Sequence, residues 1–130
     1  VAGQDLSLDD IEHGILRPIF RDPRVHYAVN CASIGCPNLR LAAFTGANLE
    51  KELDAGARDY INSPRGLVFR GGKTTASSIY KWFQEDFGGN QAGVLAHVKK
   101  YANNKVKAKL AKTRQIDDFA YDWGLNDVSK

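Results

Sequence analysis

The sequence has few of the residues that form redox and metal sites: its 130 residues include two cysteines and three histidines. It also has no hydrophobic run near the roughly 18 apolar residues of a membrane-spanning helix, so we predict no transmembrane segment. Disorder is excluded, because 43% hydrophobic and 25% charged residues are globular values. Repeats, low-complexity tracts and linkers are absent as well. One domain over residues 1–130 is expected.

The N-terminal stretch VAGQDLSLDD is polar and acidic. It lacks the basic start and the apolar region of a signal peptide. Since the chain begins with Val rather than Met, we expect that a leader or upstream segment has been removed. A cytoplasmic location therefore does not follow from this stretch.

Acidic residues are missing from KKYANNKVKAKLAKTR, Lys99–Arg114, which contains seven basic residues. Such a block attracts phosphates or an anionic surface, so an anionic partner is one hypothesis. A solvated helix face is the simpler interpretation. Nucleic acid is not expected, because single-strand binding interleaves aromatic residues with the basic ones and the block contains only Tyr101.

Hydrophobic spacing and capping residues predict the first elements. SLDDIEHGILRP has Ser7 and Asp10 in a capping-box pattern, which predicts a helix closed by Pro18. Alternation then predicts a strand over Val25–Asn30.

The rest of the chain predicts three more helices, a hairpin and a last strand. The helices are NLEKELDAGARDYIN with Thr45 as cap, IYKWFQEDF, and QAGVLAHVKKYA with Asn90 as cap. LVFR and KTTA around Gly71-Gly72 predict a β-hairpin, and alternation predicts a strand over 119–126. The fold class is therefore α+β, a single domain with a small, mainly antiparallel sheet and four to five helices.

Both cysteines lie in HYAVNCASIGCP, residues 26–37, and allow three functional interpretations. Cys31 and Cys36 could form a disulfide across the turn. They could bind a metal with His26 and His13, but zinc sites usually show tighter paired spacings, so no metal is predicted. Cys31 could be a nucleophile at the junction of strand and turn, where backbone N–H groups stabilise a thiolate. A small buried side chain is the fourth, non-functional interpretation.

A nucleophilic Cys31 needs a histidine as its base. A regular strand would turn His26 to the opposite face, whereas His13 lies on a separate helix and is free of that restriction. Glu12 would orient the histidine, and Asn30 or local N–H groups would stabilise an oxyanion. Three arginines are candidates to hold an anionic end of the substrate: Arg17, Arg24 and Arg40. We therefore predict a contact between the Cys31 sulfur and an imidazole, preferably that of His13.

Five ordered motifs carry a resemblance over nearly the whole chain: SLDDIEHGILRP, DPRVHYAVNCASIGCPNLR, NLEKELDAGARDYINSPRG, IYKWFQEDFGG and YDWGLND. In these motifs the chain resembles the domain-of-unknown-function family numbered 547, which occurs in bacteria and plants. The resemblance implies that the family motif HxAxxC corresponds to His26, Ala28 and Cys31 of this chain. Plant members can lack an equivalent of Cys36, which favours Cys31 as the reactive thiol.

The resemblance implies further expectations. Bacterial members are often exported, so a periplasmic or secreted location is expected. The arrangement is similar to papain- or transglutaminase-like cysteine sites. Family domains usually begin earlier, with a helix of the type FWINxYN, so this chain is either a trimmed fragment or a short member.

Two hypotheses of function follow. The first is a cysteine-dependent hydrolase or acyl/amide transferase that uses a Cys31–His site on a small-molecule or peptide substrate, without a cofactor. The second is a non-catalytic binding or scaffold module with a basic contact surface at 99–114.

Overall fold

The computed structural model describes residues 2–127, in which helices surround one small sheet. A π-helix spans Asp10–Phe20, and 3₁₀-helices span Pro23–Tyr27 and Gln84–Phe87. The α-helices are α1 (Leu49–Ile61), α2 (Ile79–Trp82), α3 (Gln91–Tyr101) and α4 (Asn104–Leu110). The strands are β1 (Leu67–Arg70), β2 (Lys73–Ser77) and β3 (Asp118–Ala120). The predicted α+β class is confirmed.

The sheet is mixed, with the order β1-β2-β3. β1 and β2 form the predicted hairpin, and their turn is made by Gly71 and Gly72 with φ of 58° and 76°. Positive φ at both positions is what a two-residue hairpin turn requires. β3 pairs with β2 in parallel. The predicted last strand is shorter than expected, since it ends at Ala120, and Leu125 forms only an isolated bridge to Ser33.

The core lies between α1, α3 and the sheet. The predicted inner face of α3 is confirmed, because Val94, Leu95, Val98 and Tyr101 are all buried. Three tyrosines are also buried in the core: Tyr27, Tyr60 and Tyr80. A buried phenol needs a hydrogen-bond partner, so these hydroxyls tie neighbouring segments together.

The strand predicted over Val25–Asn30 is wrong. The Asp22 side chain accepts a hydrogen bond from the Arg24 backbone N–H (2.9 Å), and Pro23 follows it, so the segment begins a 3₁₀-helix. A capping carboxylate followed by proline favours a helix start over a strand. The neighbours His26 and Tyr27 are consequently both buried. Strand alternation therefore does not turn His26 away from Cys31.

The first helix begins as predicted but ends later. The capping box is formed: the Ser7 backbone N–H donates to Asp10 Oδ2 (2.9 Å), and the Asp10 N–H donates to Ser7 Oγ (3.1 Å). Pro18 does not close the helix, which continues as a π-helix to Phe20. Proline removes one backbone donor, and a wider turn accommodates its ring.

No helix within the described residues is long and apolar enough to span a membrane.

His97 on α3 faces the core, and its pKa is far from the ordinary value for histidine. Its Nε2 lies 2.9 Å from the Tyr27 hydroxyl, and its ring contacts Phe87 and Tyr101. Burial, and next the nearby Lys100 charge, lower the pKa of His97 to about 4. The imidazole is therefore neutral in the folded protein near pH 7, and its Nε2 shares a hydrogen bond with the Tyr27 hydroxyl.

We predict that stability falls as pH decreases from about 6.5 to about 4. The unfolded chain binds a proton at His97 near its ordinary pKa of about 6.5, whereas the folded chain resists it, so protonation favours unfolding by on the order of 3 kcal/mol across this window. Urea unfolding at pH 7 and pH 4.5 measures the loss. His97→Gln serves as the comparison, since its side chain does not titrate. An equal pH dependence in both proteins would contradict this origin.

Candidate active site

A cleft of about 220 Å³ brings together most of the predicted site residues. It lies between the π-helix, the turn that carries the cysteines, α2 and the segment that follows β3. Its walls include the predicted catalytic residues and the second cysteine: Glu12, His13, His26, Cys31 and Cys36. A larger, more open cavity of about 460 Å³ lies on the other side of Arg17 and contains neither sulfur.

Cys31 and Cys36 are joined by a disulfide. This corrects the predicted contact between the Cys31 sulfur and an imidazole: among the described residues neither His13 nor His26 hydrogen-bonds to it. Cys31 is exposed and Cys36 is buried. The outer sulfur is therefore the more accessible one.

Two hydroxyl groups contact the Cys31 sulfur. Ser33 Oγ lies 3.1 Å and Tyr121 Oη 3.0 Å from Sγ, and the two oxygens are 2.8 Å apart. A disulfide sulfur carries no proton, so two hydroxyl protons serve these three contacts. A thiolate at the same place could accept from both hydroxyls, which would stabilise its charge.

The turn that carries Cys31 is held against the segment after β3. The Ile34 and Gly35 backbone N–H groups donate to the carbonyls of Gly124 and Asp122, each at 2.8 Å. A Cβ on Gly35 would lie 3.0 Å from the backbone of Asp122, so a side chain at this position would crowd the contact. The Tyr60 hydroxyl donates to the Gly35 carbonyl (2.7 Å) from the core. These contacts fix the position of Tyr121 beside the sulfur.

Asn30 shapes the same turn. Its Nδ2 donates to the Pro37 carbonyl (2.8 Å), and its Oδ1 accepts from the Ala32 N–H (2.8 Å). Ala32 itself has φ of 59°, a left-handed conformation that is uncommon for alanine. The predicted oxyanion role of Asn30 thus competes with a contact that holds the turn.

His26 forms a dyad with Asp86. The His26 Nε2 lies 2.7 Å from Asp86 Oδ2, and the ring stacks on Phe83 with centroids 4.3 Å apart. Burial lowers the pKa of His26, and the Asp86 hydrogen bond only partly opposes this effect. The ring is therefore neutral near pH 7, with its proton on Nε2 facing the carboxylate. Nδ1 is buried and has no hydrogen-bond partner, which is the state of a histidine able to accept a proton.

Asp86 is held ionised by two donors. Burial raises its pKa, but the hydrogen bonds from Arg17 (2.6 Å) and His26 outweigh this, so the pKa lies below the usual range. The sequence analysis assigned no role to Asp86.

Glu12 faces His26 rather than His13. Its Oε1 lies 4.0 Å from His26 Nδ1, too far for a direct hydrogen bond. His13 lies at the rim of the cleft, where its Nδ1 accepts from Arg17 at 3.0 Å. The structure therefore brings Glu12 to the histidine that the sequence analysis considered second.

The three arginines proposed to hold an anionic substrate are all paired with carboxylates. Arg17 binds Glu85 and Asp86. Arg24 binds Asp22, Glu50 and Asp54, and Arg40 binds Glu52 and Asp59. None of the three lines the cleft that contains Cys31. The structure thus gives them structural contacts.

Three aromatic side chains form one wall of the cleft: Trp82, Tyr121 and Trp123, with ring centroids 4.7 to 5.5 Å apart. Residue spacing alone does not indicate a role for these residues or for Asp86. The family resemblance could have pointed to them, because all four lie in IYKWFQEDFGG and YDWGLND, two motifs that carry it. Within the described residues, no group of three or more histidine, cysteine or acidic side chains is arranged to hold a metal.

Residues 1–61 match the model of a family described as "Protein of unknown function, DUF547". The match confirms, over these residues, the family indicated by the sequence motifs. It contains both cysteines, Glu12, His13 and His26, whereas Asp86 and the aromatic wall lie outside it. No curated protein matches the chain. No solved structure matches it either, so a papain-like fold has no support from this source.

We predict that Asp86→Asn lowers the pKa of His26 further. The substitution removes the hydrogen-bonded negative charge that favours imidazolium, and the opposing Arg17 charge is then less compensated. A decrease of about one unit or more is expected. NMR titration of the imidazole Cε1–H signals measures it.

Glu85→Gln is the matched control, because it removes the other carboxylate of Arg17 and leaves the His26 hydrogen bond intact. Its effect on the His26 titration is expected to be much smaller. A rise of the His26 pKa in Asp86→Asn would show that the dyad is assigned wrongly.

Proposed function

We propose that the reduced protein is a cysteine-dependent hydrolase or acyl transferase with Cys31 as nucleophile and His26 as base. The observation that carries this proposal is the buried, unpartnered Nδ1 of His26 on the wall of the cleft that also contains Cys31. Asp86 is the positioning residue that holds the imidazole tautomer. A nucleophile, a base and a carboxylate that orients the base form the usual set for acyl transfer.

The disulfide must first be opened by an external thiol reductant. A dithiol reduces the Cys31–Cys36 bond to two thiols and is itself oxidised to a disulfide. Cys31 is exposed, so a substrate can reach it. The hydroxyls of Ser33 and Tyr121 remain within reach of the sulfur and stabilise its negative charge.

Acyl transfer then follows from these groups. His26 Nδ1 accepts the Cys31 proton while the sulfur bonds to the carbonyl carbon of an ester, thioester or amide. The leaving group departs with the proton returned by His26. Water or an amine then cleaves the thioester, which releases an acid or a new amide and restores the thiol.

The choice of His26 rests on its contacts. His13 is exposed, and its Nδ1 already accepts from Arg17. Glu12, which also lines the cleft, lies beside His26. The sequence-based preference for His13 depended on a strand that is a 3₁₀-helix in the structure.

A burst assay tests the proposal. With p-nitrophenyl acetate, the reduced protein is expected to release one nitrophenol per chain rapidly and to carry the acetyl group on Cys31, as located by mass spectrometry. His26→Gln is expected to slow the burst about 100-fold or more, the usual contribution of a general base. The oxidised protein is expected to show no burst.

Cys36→Ser provides a sharp comparison, since it removes the disulfide and keeps Cys31. This variant is expected to give the burst without any reductant, whereas Cys31→Ser gives none with it. A burst that survives Cys31→Ser would overturn the nucleophile. A burst lost in His13→Gln but kept in His26→Gln would overturn the base.

A second candidate function is the binding of an anionic partner by the basic segment 99–114. All seven basic side chains of this segment are exposed, and within the described residues none of them pairs with a carboxylate. An uncompensated block of this kind retains its attraction for an anionic surface. The cleft chemistry and this surface are independent of each other.

Salt-dependent retention on anionic beads tests the second candidate. Reversing three lysines of the segment (Lys105, Lys107 and Lys109 to Glu) is expected to abolish retention near 0.1 M salt, where exposed charges are still incompletely screened. The matched control replaces Lys51, Lys73 and Lys81 with Glu. These lysines are also exposed, and the control variant has the same net charge as the first one. Equal retention of both triple variants would exclude this surface.

A further inference from the structure

Among residues 2–127, the walls of the cleft beside Cys31 contain a carboxylate but no lysine or arginine. Its ionisable walls, besides the disulfide and Tyr121, are Glu12, His13 and His26. The nearest arginine partner of these groups, Arg17, is neutralised by Glu85 and Asp86 and lies outside the cleft. An anionic ligand would therefore meet a negative wall without a compensating charge.

Glu12 and His26 Nδ1 are two acceptors that face each other in this cleft, and the part of the chain that the structure describes places no donor between them. The His26 proton lies on Nε2, so Nδ1 offers only a lone pair, and Glu12 Oε1 lies 4.0 Å from it. Glu12 is thus a half-buried carboxylate whose nearest ionisable neighbour is a neutral ring. Buried charges are usually paired, so a cation brought by a ligand would supply the missing partner.

The opposite wall attracts cations as well. Trp82 and Trp123 pack against each other with centroids 5.5 Å apart, yet 46% and 68% of their surfaces remain exposed. Indole faces carry a negative quadrupole that attracts ammonium and guanidinium groups. The apolar part of the wall suits an aliphatic stem.

We propose that this cleft binds a cationic ammonium or guanidinium group on an apolar stem, held between Glu12 and the indole pair, which leaves His26 Nδ1 free to act as the base. A lysine or arginine side chain of a peptide and a free polyamine share this chemistry. The inference deepens the proposed function and rests on it only in one respect: the bound side chain would place its peptide carbonyl near Cys31.

The two tryptophans provide a direct readout. They are the only tryptophans of the chain, and both line the cleft, so their indole N–H signals in NMR spectra report on this site alone. The oxidised protein is titrated with Nα-acetyl-arginine amide, with the neutral isostere Nα-acetyl-citrulline amide, and with spermidine. Saturable shifts are expected with the arginine amide, and an affinity at least about tenfold lower with the citrulline amide.

Glu12→Gln is expected to weaken the arginine amide about tenfold or more, because it removes the charge but keeps the shape. Glu50→Gln is the matched control, since Glu50 lies on α1 and pairs with Arg24 outside this cleft. Trp123→Leu, a second variant, is expected to weaken binding severalfold. Spermidine binding tighter than the arginine amide would identify a free polyamine as the source of the group.

Equal affinities for the arginine and citrulline amides would overturn the inference, as would an unchanged affinity in Glu12→Gln. These titrations use the protein with its disulfide intact, a state in which Cys31 cannot be acylated. A failure of binding is therefore distinct from a failure of the burst assay, which requires only the reduced thiol and an uncharged ester.

Discussion

The arrangement of this site depends on the two hydrogen bonds that the Asp86 carboxylate accepts. The carboxylate receives them from Arg17 on the π-helix and from His26 on the 3₁₀-helix, which lie 69 and 60 residues away in sequence. No residue of the π-helix is fully buried, so packing alone holds that helix weakly. Charge-assisted hydrogen bonds of this kind contribute about 1.5 to 3 kcal/mol each. The same carboxylate therefore positions the helix that carries Glu12 and sets the tautomer of His26.

The oxidation state of the cysteines decides what the other groups in the cleft can do. In the oxidised state the Cys31 sulfur accepts from hydroxyls and has no proton to give, so the unpartnered nitrogen of His26 has nothing to remove from it. In the reduced state a thiol proton and a base lie on the walls of one cleft. Tyr121 contributes to both states, because its hydroxyl touches the sulfur while its ring packs against Trp123. The disulfide and the acyl transfer that we propose thus exclude each other, because both use the Cys31 sulfur.

Local signals in the sequence predicted the local structure well. The glycine pair of the hairpin, the Asn90 cap of α3 and its buried face were all predicted, because each depends on residues close together in sequence. The predicted strand over Val25–Asn30 is wrong, because the helix start formed by Asp22 and Pro23 determines the local structure despite the hydrophobic alternation that follows. Asp86 could not be found by periodicity or spacing, because its role arises from contacts with residues 60 and 69 positions away in sequence. The disulfide was one of the alternatives that the sequence left open.

Charge is distributed so that structure and binding use different residues. Arg24 joins its 3₁₀-helix to α1, and Arg40 joins a loop to α1; together they occupy five acidic partners. Lysines, by contrast, remain solvated in the segment 99–114. Glu12 differs from both groups, since it is half-buried in the cleft and approaches only a neutral imidazole. A carboxylate taken from water without a cation loses hydration that nothing in the cleft replaces. A cationic ligand would restore that loss, and for this reason we propose a basic group in the cleft rather than the anionic one expected from the arginines.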